Sequence, residues 1–123
     1  MPSERIHRMQ AEQNERLAKG LVLLSPQLMD WGITACFYTA IHLVDSYLAR
    51  LGVHPDNHME REEWIAYRLR PIQSEYRILK RYSLRARYDA AQMNPATAFQ
   101  PSFVENLLSV ELETIRNYIA QLP

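Results

Sequence analysis

The sequence predicts an all-α fold, an up-and-down bundle of four main helices with a possible fifth short or kinked piece, and one domain over residues 1–123. Three observations carry that expectation. Apolar residues recur at steps of three to four along four long segments, no stretch of useful length alternates as a strand would, and no internal repeat shows. A 47% share of hydrophobic residues at this length supplies one core and no second.

The first helix covers residues 4–24. Ile6, Met9, Gln13, Leu17, Leu21 and Leu24 mark its apolar stripe, and Ser3 stands where an N-cap is needed. Ser25 and Pro26 break the register. From Pro26 or Asp30 to Leu51 the chain is apolar almost all round, with Phe37, Ile41, Val44, Leu48 and Leu51 on one stripe and Trp31, Ala35, Tyr38 and His42 beside it. A helix of that kind belongs in the middle of a bundle. Gly52 suits the left-handed position that ends it.

"HPDNHMERE" reads as a turn, and Asn57 with Glu60 three residues later has the spacing of a capping box, which places His58 in the first turn of a third helix. That helix runs through Trp64, Ile65 and Leu69 to Pro71, where proline's missing donor demands a kink or a break. Ile72, Tyr76, Leu79, Ser83 and Ala86 resume the period to about Tyr88. "AAQMNPATAFQP" is a connecting loop. The last helix, residues 102–121, carries Phe103, Leu107, Val110, Thr114 and Tyr118 on one stripe, with Val104, Leu108, Leu112, Ile115 and Ile119 alongside. The apolar excess on the second and last helices is enough for a dimer seam.

Net charge is zero, so overall charge selects no partner, but its distribution is uneven. Residues 25–63 hold six acids against two bases (−4), and residues 64–87 hold seven bases against Glu75 alone (+6). The single Cys36 allows no internal disulfide and no thiolate metal cluster, which suits a reducing compartment. The N-terminus is polar and amphipathic, unlike a signal peptide, and no apolar run approaches a membrane span. A cytoplasmic protein without membrane contact is expected. The glycines form no phosphate-cradling motif, no GxSxG turn occurs, and no cofactor is expected.

Three of the 4 histidines fall between residues 42 and 58. His42, His54 and His58 could ligate a metal, since three imidazoles and a water make an open catalytic site. The plainer alternative makes His42 a core residue oriented by Asp45 or Tyr38, one turn away, and leaves His54 and His58 toward solvent. Arg61 shares a helix face with His58, and such a pair can hold a phosphate and move a proton. Glu60, Glu62 and Glu63 around it oppose an anion. On the fourth segment Arg77, Arg81 and Arg85 recur every four residues, with Lys80 and Arg87 on a neighbouring line and Tyr76, Tyr82 and Tyr88 interleaved. That face could track a nucleic-acid backbone, or its cations could pair with the acids at 60–63 and 105–113.

"CFYTAIHLVDSYLARLGVHPDNH" and "YRILKRYSLRARYDA" resemble two stretches of prokaryotic HEPN (higher eukaryotes and prokaryotes nucleotide-binding) domain proteins. The matching positions are Phe37, Tyr38, His42, Gly52 and His58, then Leu79, Ser83, Arg87, Tyr88 and Asp89. The resemblance implies a helical bundle, commonly dimeric, in a superfamily that includes RNA-cleaving toxins, defence-system effectors and non-catalytic partners of nucleotidyltransferase-like proteins. Cleaving members carry an Arg followed, after four to six residues, by a His, typically on the last helix. Here that helix has Arg116 and no His. The expectation is therefore a HEPN-like domain that binds RNA, a nucleotide or a partner protein as a homodimer without robust catalysis, through Arg77, Lys80, Arg81, Arg85 and Arg87. The alternatives are a ribonuclease centre of His42, His58 and Arg61, and a metal-dependent enzyme using His42, His54 and His58.

Overall fold

The computed structural model describes residues 2–88 and 99–123, and all regular structure among them is helical. Asp89 and most of the loop expected after it lie outside the described residues. Helix α1, Glu4–Leu24, starts where the Ser3 hydroxyl accepts from the Ile6 amide, so the expected cap forms. A single 3₁₀ turn, Pro26–Leu28, leads into α2, Met29–Arg50. Gly52 closes α2 at φ +75°, the left-handed conformation that costs a residue without Cβ nothing. Helix α3, His58–Arg68, is capped by Asn57, whose side-chain oxygen accepts from the Glu60 amide at 2.8 Å. The Glu60 carboxylate reaches back to the Asp56 amide at 3.2 Å, one residue earlier than a standard capping box requires.

Pro71 breaks the helix and does not merely kink it. A 3₁₀ turn, Arg70–Ile72, separates α3 from α4, Gln73–Tyr88. Helix α5 covers residues 101–120 as Pro101–Asn106, a π-helical turn Leu107–Glu111, and Leu112–Ala120.

Helix α2 is the axis of the bundle, buried on nearly every side as its composition requires. Ile33, Phe37, Val44 and Leu48 meet Ile65 and Leu69 from the α3 end, Tyr76 and Leu79 from α4, and Leu112 and Ile115 from α5. Each such fully buried side chain contributes roughly 1.5–3 kcal/mol. Helix α1 lies antiparallel to α2, with Glu4 paired to Arg50 and His7 to His42. At Gly32 an added Cβ would stand 3.4 Å from Val104, so α2 approaches α5 closely there.

Two stripe assignments change. The side of α1 turned to the core carries His7, Ala11, Ala18 and Val22, while Ile6, Met9, Leu17 and Leu24 are exposed, Leu24 to 85%. Small residues let α1 sit close on the crowded α2, and the larger apolar chains fall on the outer face. In α5 the π-turn inserts one residue, so burial passes from Val104 and Leu107 to Leu112, Ile115 and Ile119 and leaves Val110 at 55% exposure. Helix α2 keeps Trp31 and Tyr38 exposed, at 60% and 37%, and α1 carries an outward apolar stripe of Ile6, Met9, Leu17 and Leu24.

Candidate functional site

A polar layer crosses the bundle where the second half of α2 meets the starts of α1 and α3. Its centre is an ion pair. Arg61 Nε donates to Asp45 Oδ1 at 2.8 Å and Nη2 to Oδ2 at 3.0 Å, and both residues are buried. Burial alone would lower the Arg61 pKa, but the hydrogen bonds and charge of Asp45 more than offset it and leave it raised. A buried fork on a carboxylate is held cation and anion alike, since removing either partner strands the other. The Tyr76 hydroxyl is buried close enough to Arg61 to feel its charge and meets no hydrogen-bond partner among the described residues; burial raises its pKa.

Arg61 has one more nitrogen to use. Nη1 stands 3.3 Å from His58 Nδ1. Because a guanidinium can only donate, Nδ1 is the acceptor, which makes His58 the Nε2–H tautomer in this arrangement. The His58 ring stacks on Phe37 at 5.9 Å, and burial followed by the charges of Arg61 and Lys80 lowers its pKa, with Arg87 adding to the effect. His58 is thus a neutral imidazole in a cationic surround, with its free N–H available as a donor.

Arg87 arrives from α4. Its Nη1 donates to Tyr38 Oη at 3.4 Å, and its guanidinium lies over the Tyr38 and Tyr88 rings. Residues far apart in the chain, Tyr38 and Arg87 being 49 positions apart, therefore meet: Phe37 and Tyr38 on α2, His58 at the start of α3, and Arg87 and Tyr88 at the end of α4.

His42 does not join them. Its Nδ1 lies 3.0 Å from His7 Nδ1, and the partner expected for it, Asp45 or Tyr38, is engaged by Arg61 or Arg87 instead. One of the two rings must donate through Nδ1–H and the other accept. Burial lowers both pKa values, and for His42 the His7 charge acts next in the same direction. The signal for His7 was present in the chain, a lone His in register with Ala11, Ala18 and Val22, but it is only readable once that face is known to be the buried one. His54 sits half-buried in the loop, where its charge is felt at His7. Of the three histidines weighed as ligands, His42 thus turns to His7 and His58 to Arg61, and no group of three or more His, Cys, Asp or Glu among the described residues could hold a metal ion.

The five basic residues of α4 divide. Lys80 is paired with Glu62 at 2.6 Å, the acidic segment answering the basic one, and Arg87 faces Tyr38. Arg77, Arg81 and Arg85 lie exposed, with Arg81 and Arg85 over the Tyr82 ring. No described helix is long and apolar enough to cross a membrane. No protein-family model, curated protein or solved structure matches the chain.

Proposed function

We propose that this chain is a HEPN-like helical domain that binds RNA or a nucleotide through its phosphates, as a homodimer and without catalysing cleavage. The observation that carries the reading is the convergence of His58, Arg87 and Tyr38, all exposed, from three helices into one cationic surface in which the Nε2–H of His58 is a donor. Phosphate oxygens accept from such a donor and from guanidinium groups, and the rings of Tyr38 and Tyr88 offer stacking faces. Arg77, Arg81 and Arg85 extend the positive surface along α4.

Catalysis is the weaker alternative for a chemical reason. A ribonuclease centre of His42, His58 and Arg61 needs a free base and a free guanidinium, yet Asp45 occupies the Arg61 fork, Arg61 occupies His58 Nδ1, and His42 is turned to His7. The exposed stripe Ile6, Met9, Leu17 and Leu24 supports self-association, because apolar side chains at helical spacing on an outer face gain by being covered. A nucleotidyltransferase-like protein on this face would be the competing outcome.

Fluorescence anisotropy with a short labelled single-stranded RNA tests the binding. Affinity should be measurable at low salt and should fall about tenfold or more in Arg87→Ala and in His58→Ala. RNA that fails to bind at low salt, or binds both variants as well as the parent, overturns the proposal.

A further inference from the structure

A half-enclosed cavity of about 360 Å³ lies between α1, α2 and α5, and none of the residues lining it belongs to the His58 surface. It exists because the three helices meet over small side chains, Ala11 from α1 and Thr39 and Ser46 from α2, all buried. The hydroxyl protons of the floor are already committed: Thr39 donates to the Ala35 carbonyl at 2.8 Å and Ser46 to the Leu43 carbonyl at 2.7 Å. What these hydroxyls have left is lone pairs, so the floor accepts hydrogen bonds and asks for a donor.

The rim is charged and balanced. Arg50 is held by Glu4, and Arg116 by Glu15, so two ion pairs close the ends. Arg8 and Glu12 also line the cavity, and neither has an ion-pair partner among the described residues. They stand one turn apart on α1, a rise of about 6 Å. The cavity therefore offers one uncommitted cation and one uncommitted anion above an acceptor floor.

We propose that this cavity is a binding site for a small zwitterion of free amino-acid size, its ammonium held by Glu12 with the lone pairs of Thr39 and Ser46, and its carboxylate held by Arg8. Equal numbers of guanidinium and carboxylate groups give no preference for a simple anion or a simple cation. Carboxylates on the rim repel a nucleotide, and the volume is at the small end of ligand sites. An apolar ligand would leave the floor unsatisfied.

The full chain is titrated with each of the twenty proteinogenic L-amino acids by calorimetry and saturation-transfer NMR, with putrescine and acetate as single-sign probes. One or more amino acids should bind saturably, and Glu12→Gln and Arg8→Gln, both at exposed positions that leave the fold intact, should each weaken that binding about tenfold or more. Thr39→Val, which keeps the volume and removes the lone pairs, should weaken it as well. Arg87→Ala should leave it unchanged, which separates this site from the RNA surface. The proposal is overturned if no amino acid binds at millimolar concentration, if the Glu12 and Arg8 variants bind as the parent does, or if putrescine or acetate binds equally well.

Discussion

Asp45 and Arg61 form a two-pronged ion pair inside the bundle, 16 residues apart in the chain and 2.8 and 3.0 Å apart at their contacts, and this pair positions His58. Asp45→Ala strands a buried guanidinium. The expected cost is about 3–5 kcal/mol, a large part of a domain's total stability, read from urea unfolding. The double change Asp45→Leu with Arg61→Met should be much milder, because it removes both charges together; a double variant as damaged as the single one would show that the cost was lost packing.

Acid should destabilise the fold through its histidines. His7, His42 and His58 all have folded pKa values below the ordinary 6.5, with burial the first cause in each. The unfolded chain then takes up protons before the folded one does as pH falls through 6.5. Stability from these groups is full above that value and is lost on the way down to the folded values. The His7–His42 contact tolerates one shared proton but not two, since two imidazolium rings leave no acceptor. Urea midpoints measured from pH 8 to pH 5 should fall, and His7→Phe should flatten the slope; a flat profile in the parent refutes this account.

The exposed side of α1 should hold two copies together. Leu17 is 52% exposed, so Leu17→Glu should leave the fold and its melting temperature nearly unchanged while converting a dimer to a monomer in sedimentation equilibrium. A parent that sediments as a monomer would remove the homodimer from the proposed function.

Salt dependence separates the two parts of the cationic surface. Each α4 arginine that contacts a phosphate should add about 0.7 to the slope of log affinity against log salt for single-stranded RNA. Replacing Arg77 and Arg81 by Ala should reduce that slope, and an unaltered slope would confine binding to the His58 side.

Cys36 is buried against the core, and burial, with a contribution from Glu111, pushes its thiol up to about 12. Alkylation by iodoacetamide at neutral pH should therefore proceed only through opening of the fold, at a rate that rises with denaturant as global unfolding does. Fast labelling in native buffer would contradict the burial.

What lay within reach of the sequence was local. Ser3 as a cap, Gly52 as a stop, Asn57 opening α3 and an interruption at Pro71, kink or break, are each decided within one or two helical turns, the near-uniform apolarity of α2 along that one helix, and each appears in the structure, the interruption as a break. The sequence also placed His58 and Arg61 on one helix face, and they touch. Partner choice was a different matter. That His42 takes His7, 35 residues away, and that α1 turns its small residues inward with Leu17, Leu23 and Leu24 outward follow from how closely α1 packs against α2, and that Asp45 takes Arg61 follows from where α3 lets that long side chain reach α2. Periodicity names the faces of a helix, but only the fit between helices selects which face is buried. The same fit joins Tyr38 to Arg87, and so brings two stretches of sequence into one surface.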